Sequence, residues 1–252
     1  MSQPRPKTED QIRTMRTGGK ILAEGLLMME EKITPGISTA EVDVYIREFF
    51  DSKGVIPAFL GYYGFTGAVC ISVNEELIHG VPKEDTIIAE GDIVSLDCGL
   101  ILDGLYLDSA RSFGVGEISE DARLLVERTK KSFFKGVSVL RDGAMTGDYG
   151  YAVESYLSQF GYGIVRDYAG HGIGTELHEA PNIPNYGAKG TGVQLQAGMT
   201  IALEPMVTLG AEEGYVDESD DWTVIPVDHS LAAHYEHTIL ITKKGVELLT
   251  QL

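Results

Sequence analysis

Only two cysteines, Cys70 and Cys98, occur in 252 residues. That is too few for a disulfide framework or a four-thiolate zinc module, so a reducing compartment is expected. Basic residues are scarce as well: 20 Lys and Arg stand against 38 Asp and Glu, a formal net charge of −18. Such a chain offers no overall positive field to phosphate backbones or anionic lipid, which argues against nucleic acid and membrane surfaces as partners. Nowhere does the sequence approach the ~20 consecutive apolar residues that cross a bilayer, and its opening ten residues lack the apolar stretch of a secretion signal. A soluble, cytoplasmic protein is the expectation. Proline is sparse at 9 residues, while 30 glycines and 43% hydrophobic content fit an ordered chain rich in turns. With ~100–200 residues per domain the length allows one large domain or two small ones. No linker or low-complexity stretch divides it, so a single domain over 1–252 is expected.

Periodicity supplies the elements. Thr8-x-x-Gln11 has the form of a capping box, and Ile12, Met15, Leu22, Leu26 and Met29 follow at helical intervals until Thr34-Pro35-Gly36. Ser38-x-x-Glu41 opens a second helix, with Val42, Tyr45, Ile46 and Phe49 on one face and Gly54 as its stop. From Val55 to Gly116 short apolar or alternating runs read as strands and hairpins. Helices return from Ser119 to about Leu140 and from Thr146 to Phe160, and strands then resume. An offset of 143 − 36 = 107 lays Gly143 on Gly36, Thr146 on Thr39, Val153 on Ile46, Tyr156 on Phe49 and Gly161 on Gly54. This predicts an α+β fold of two helix–helix–strand halves related by a pseudo-two-fold axis.

Carboxylates and histidines carry the chemistry. Asp103-Gly104 between two strand-like runs signals a tight hairpin turn. Facing residues then sum to 207, so that Gly99 meets Asp108 and Asp97 meets Ala110. Asp97 and Asp108 share a face as diagonal neighbours about 7–8 Å apart. The competing reading is a solvated hairpin face, against which stand the flanking Leu, Ile and Tyr residues. Cys98 falls on the opposite face and reads as core. In Tyr168-Ala-Gly-His171-Gly-Ile-Gly-Thr-Glu-Leu-His178 two histidines sit in a glycine-rich turn suited to metal or oxyanion work. Alternation puts Glu204 on a face apart from Met199, Ile201 and Leu203, and groups His234, Glu236 and Thr238. Each glutamate by itself also reads as a sheet-face charge. Together, Asp97, Asp108, Glu204 and Glu236 carry −4, which two divalent cations would balance. Oxygen-rich ligation with one imidazole from His171 suits Mn, Fe, Co or Zn in a hydrolytic centre.

These residues, in this order, resemble type I methionine aminopeptidase, of the pita-bread family of dinuclear metallopeptidases. The likeness spans nearly the whole chain: Thr34-Pro-Gly36-Ile-Ser-Thr39, Gly61-Tyr-Tyr-Gly-Phe65, Ser72-Val-Asn74 through His79-Gly-Val-Pro82, the Asp97–Asp108 hairpin, His171-Gly-Ile-Gly174, His178-Glu-Ala-Pro181, Leu203-Glu204-Pro-Met206 and Tyr235-Glu236-His-Thr238. The resemblance implies two helix–helix–strand halves around a curved antiparallel sheet. It implies that Asp97 binds one metal, that Asp108 and Glu236 bridge two, and that His171 and Glu204 complete the second site. It further implies that Glu204 shuttles the proton of an attacking water, that His79 and His178 contact substrate and steady the oxyanion, and that a metal holds the free α-amine. Phe59, Tyr62, Phe65, Cys70, His79, Leu177 and Trp222 would then line a side-chain pocket suited to a thioether, with His178 at the reacting bond. Ordinary core packing is the competing reading for Phe59 and Leu177.

The implied activity is removal of the initiator methionine from peptides and nascent chains, preferring a small second residue. A monomer is expected, with the ribosome a candidate partner. Leu107, Ala169, Phe59 and Leu177 depart from the family's usual residues and are expected to alter pocket shape. The 31 residues between the two glutamates leave no space for the helical insertion of type II enzymes, and no N-terminal extension of the eukaryotic kind is expected. The alternative within the fold is a proline-directed aminopeptidase P or prolidase, whose usual large leading domain is not expected here. Outside enzymes, the alternative is a metal-free binding protein of the same fold, which should lack the five ligands.

Overall fold

The computed structural model describes residues 5–252, so the first four positions of the expected 1–252 domain lie outside the described residues. Four α-helices organise the described residues: α1 (Glu9–Lys32), α2 (Thr39–Lys53), α3 (Glu120–Val137) and α4 (Thr146–Leu157). Between the two helix pairs lie β1 (Ile56–Pro57), β2 (Val69–Val73), β3 (Ile93–Leu102) and β4 (Leu105–Gly114). After α4 follow β5 (Gly163–Ile164), β6 (Gly170–Gly172), β7 (Glu179–Ile183), β8 (Thr200–Leu203), β9 (Met206–Thr208), β10 (Gly214–Val216), β11 (Val224–Pro226), β12 (Ala232–His234), β13 (His237–Ile241) and β14 (Val246–Leu248). Among the described residues no helix is long and apolar enough to cross a membrane.

Helix boundaries follow from capping chemistry. Both expected capping boxes form, Thr8 with Gln11 and Ser38 with Glu41, satisfying donors that the first helical turn leaves open. Gly54 ends α2 in the left-handed conformation. Helix α3 stops at Val137, short of the expected Leu140, and α4 gives way to a 3₁₀ turn over Ser158–Phe160. The segment from Val55 to Gly116 is less sheet-like than its pattern predicts. It includes a 3₁₀ turn at Tyr62–Gly64 and long connections, because its apolar residues pack around a cavity instead of pairing as strands.

The 107-residue offset is a real internal symmetry. The isolated bridge Ser38–Ile87 recurs as Met145–Gln194, each partner displaced by 107. Thr39 and Thr146 both open a helix and both accept, on Oγ1, a backbone N–H from a distant loop, that of Lys83 and that of Val193. Gly36 and Gly143 share positive φ, as do Gly54 and Gly161. One core packs α1 and α2 on β2–β4, and the other packs α3 and α4 on the C-terminal sheet β14-β13-β8-β6-β7. Among the described residues every strand pairing within these sheets is antiparallel.

The hairpin register matches the arithmetic: Gly99 faces Asp108 and Asp97 faces Ala110. Asp103 (φ 50°) and Gly104 (φ 76°) both take the left-handed conformation that a two-residue turn of this kind needs. The two halves are stitched where β4 meets Glu236 and the start of β13. The N–H of Glu236 donates to the carbonyl of Ala110 at 2.8 Å, and the Thr238 hydroxyl both accepts from the N–H of Asp108 and donates to its carbonyl. Asp108 and Glu236 are thereby held side by side although 128 positions apart.

Leu107 corrects one expectation. It does not shape the pocket: it is fully buried on the other face of β4, against α1. A Cβ at Gly18 would lie 2.6 Å from Leu107 Cδ1, while one at Gly19 would meet the Leu249 carbonyl oxygen first and lie 3.3 Å from Leu107 Cδ2. The leucine fills the notch at Gly18, and the Leu249 backbone closes it at Gly19. Leu107→Ala should therefore cost roughly 2–5 kcal/mol in urea unfolding. Gly18→Ala should destabilise the parent protein more than the Leu107→Ala variant, where the 2.6 Å contact is gone, only Leu100 Cδ1 at 3.3 Å must give, and helix propensity offsets about 0.5–1 kcal/mol. Simple additivity in that double-mutant cycle would remove the complementary-notch explanation.

Candidate metal and substrate site

Strand geometry brings the sequence-nominated groups to one place. A single cavity of about 180 Å³ is lined by all five nominated ligands, Asp97, Asp108, His171, Glu204 and Glu236, and also by His79 and His178. Its apolar wall comes from Phe59, Tyr62, Phe65, Cys70, Leu177 and Trp222, every pocket residue that the sequence nominated. Ile78, Tyr168 and Ala169 line it too. Ala169 stood out only as a departure from a pattern. Ile78 and Tyr168 carried no local signal beyond lying next to His79 and near His171.

Each nominated position has a local cause. Asp97 and Asp108 come from the paired strands β3 and β4 with the cavity on their common face. Glu204 follows the last residue of β8, and Glu236 precedes the first of β13, which pairs antiparallel with β8. His171 lies on β6 between Gly170 and Gly172, next to a bulge. A Cβ at Gly170 would sit 2.6 Å from the Ala202 carbonyl, and one at Gly172 would strike the Ala180 carbonyl. Only glycine lets β6 lie so close to its neighbours. His171 Nδ1 is 2.9 Å from the Gly172 carbonyl, to which it donates, leaving Nε2 as the free nitrogen.

Charge is the dominant fact of this cavity. Burial pushes the Asp97 carboxyl up to about 6 and that of Glu204 up to about 8. Asp108 and Glu236 are driven well above the usual carboxylate range, first by burial and then by the neighbouring acids. Asp97 Oδ1, Asp108 Oδ1 and Glu236 Oε1 are buried without a hydrogen-bond partner among the described residues. Asp108, His171 and Glu236 offer donor atoms that all lie within 4.8 Å of one another. Unpartnered carboxylate oxygens converging with one free imidazole nitrogen fit divalent cations.

The remaining histidines differ in environment. Burial lowers His79 to about 4, and its ring packs edge-on against Tyr168, with centroids 5.7 Å apart. His178 is also lowered by burial, and its Nδ1 is 2.9 Å from the Tyr62 hydroxyl. With the phenol as donor, His178 carries its own proton on Nε2, the nitrogen that Tyr62 does not engage. Burial raises both thiols strongly, which removes them as nucleophiles, and Cys98 donates weakly to the Ala68 carbonyl at 3.6 Å as a core residue.

A brace outside the cavity positions its wall. Asp220 Oδ1 accepts the N–H groups of Trp222 and Thr223, while Oδ2 accepts from the Thr223 hydroxyl and from Lys83 Nζ at 2.8 Å. Lys83 lies four residues beyond His79, so one ion pair ties both walls together. Burial opposes ionisation of Asp220, but hydrogen bonds from Lys83, Thr223 and Trp222 outweigh it and hold the carboxyl at about 2.

A folded-state value below the ordinary 3.8 contributes stability above pH ~4 that is lost as pH falls through about 2. Asp220→Asn should thus cost on the order of 1–2 kcal/mol at pH 7, and its deficit should shrink between pH 4 and pH 2. Trp222 is the only tryptophan, so its emission should shift to the red in the variant. An unchanged spectrum together with a pH-independent deficit would discount the brace.

Residues 13–243 match metallopeptidase family M24. The chain is 48% identical over 246 residues to a methionine aminopeptidase of Clostridium acetobutylicum, covering 97% of each. It superposes on the crystal structure of methionine aminopeptidase from Thermotoga maritima with a TM-score of 0.97 and 44% identity, covering 99% of this chain and 100% of that one. Prolidase from Pyrococcus furiosus gives a TM-score of 0.79 at 25% identity, covering 98% of this chain and 65% of that one.

Proposed function

Because this chain belongs to metallopeptidase family M24, we propose that it removes the N-terminal methionine from peptides and nascent proteins, preferring a small second residue. The observation that carries this reading is one cavity that joins a carboxylate-rich, cation-demanding floor to an apolar wall suited to a thioether. Near-full-length identity to methionine aminopeptidases supports it over the other activities of the fold.

Asp97, Asp108, His171, Glu204 and Glu236 would hold two divalent ions, with Mn, Fe, Co and Zn all compatible with that donor set. When bound, such ions supply Lewis-acid polarisation of a carbonyl and a more acidic water. The chain's own groups do the rest. Glu204, which lines the cavity beside the other four nominated donors, takes a proton from water and returns it to the leaving amine. His178, donating through Nε2, and His79, on the facing wall, steady the negative charge that develops on the carbonyl oxygen. Phe59, Phe65, Cys70, Leu177 and Trp222 exclude water from around the methionine side chain, and Tyr62 joins that wall while orienting His178. A reducing, cytoplasmic setting fits the two buried free thiols. A monomer that meets its substrates near the ribosome completes the reading.

Release of methionine from Met-Ala-Ser across a metal series, set against Xaa-Pro peptides, tests the assignment. The expected result is methionine release with Xaa-Pro left intact; cleavage of Xaa-Pro alone would favour the prolidase-like reading, which the shared fold supports. Glu204→Gln should keep the fold but lower kcat by about 10²–10⁴, because an amide cannot accept the proton. Asp108→Asn should weaken both ions together in calorimetry, and loss of one ion alone would deny it a bridging role. Failure of the parent protein to take up any divalent ion would revive the non-enzymatic reading.

A further inference from the structure

His234 ends β12 and is 2% exposed, yet neither of its ring nitrogens has a hydrogen-bond partner among the described residues. Its backbone is held firmly. The His234 N–H donates to Ser112 Oγ at 2.8 Å, and its carbonyl lies 2.9 Å from that same hydroxyl, which is 2.6 Å from Ser95 Oγ. The unmatched ring therefore sits on an anchored strand end, not on a loop free to turn away. His237, three residues on and equally buried, shows the ordinary alternative: Nδ1 lies 2.8 Å from Thr250 Oγ1 and Nε2 lies 3.1 Å from the Tyr235 hydroxyl.

The His234 ring faces Glu204, one of the carboxylates that line the cavity. Its Nε2 is 3.7 Å from Glu204 Oε2, while His171 Nε2 is 3.6 Å from Glu204 Oε1, so each oxygen of Glu204 faces one imidazole. Both separations exceed hydrogen-bonding distance, roughly 2.7–3.2 Å. They fall within the ~4.2 Å that can separate two donors each about 2.1 Å from a shared ion. Asp97, whose Oδ1 is likewise unpartnered, acts electrostatically on the His234 ring. An unpartnered imidazole Nε2 at this distance from a buried carboxylate oxygen, with a second unpartnered carboxylate oxygen on Asp97, is the donor pattern that a bound cation would satisfy.

We propose that His234 is a sixth side-chain donor of the metal centre, binding a divalent cation through Nε2 on the side of Glu204 opposite His171. The proposal rests on the reading of this cavity as a metal centre and deepens it: the centre has two imidazoles, not one. A second nitrogen donor favours Zn, Co or Fe over Mn at that position.

The test compares the full-length parent with His234→Gln and, as a control, His237→Gln. Binding stoichiometry and affinity are read by calorimetry with Co(II), and imidazole nitrogens coupled to the ion are counted by pulsed EPR after Mn(II) loading. The parent should show two imidazole couplings. His234→Gln should show one and bind one ion at least about 10-fold more weakly, whereas His237→Gln should match the parent. Unchanged affinities and couplings in a folded His234→Gln protein would overturn the proposal. Should that variant not fold, the parent decides alone, since a single imidazole coupling also overturns it. A parent that takes up no ion would bring down the metal-centre reading itself, a result distinct from an ion bound without His234.

Discussion

Four carboxylates, Asp97, Asp108, Glu204 and Glu236, are buried in one cavity with no lysine or arginine paired to them among the described residues. Without cations, proximity and desolvation would protonate some of the four, and the pushed-up carboxyls of Asp97 and Glu204 are the measure of that stress. Divalent ions resolve it, and the fold keeps two of the four, Asp108 and Glu236, side by side. Asp108 and Glu236 sit on backbone segments that hydrogen-bond each other directly, and Thr238 clamps the peptide groups of Asp108 on both sides.

Duplication gives this arrangement its economy. Each half presents a helix pair and strands with its own apolar core, and residues of both halves line the one cavity. Asp97 and Asp108 come from the first half; His171, Glu204 and Glu236 come from the second. The repeated bridge at a 107-residue displacement and the repeated threonine contact at the start of α2 and α4 mark the shared design. The five nominated side chains do not repeat. Symmetry builds the frame, and departures from it build the site.

Much of this was legible locally. Capping boxes, the Gly54 stop and the Asp103-Gly104 turn are short-range chemistry, and the hairpin register follows from that turn by counting. The side-chain parity that groups Glu204 with Ala202, and Glu236 with Thr238, is a property of extended chains and needs no tertiary information. Leu107 misled because a family pattern noted its size but not its direction: parity turns it away from the Asp108 face, into the notch at Gly18. The Lys83–Asp220 brace joins residues 137 positions apart and has no local signature.

By itself, then, the amino-acid order determined the element types, the two-half architecture, the alternation that aims each acidic group, and a set of motifs specific enough to point to metallopeptidase chemistry. Tertiary structure alone decided which of those groups share one cavity, how far burial drives their protonation, and that His234 faces Glu204 unpaired while His237 is satisfied. The division has a physical reason. Turns, caps and strand parity are set by neighbours within a few residues, whereas desolvation, charge repulsion and an unmatched imidazole depend on what distant strands bring alongside.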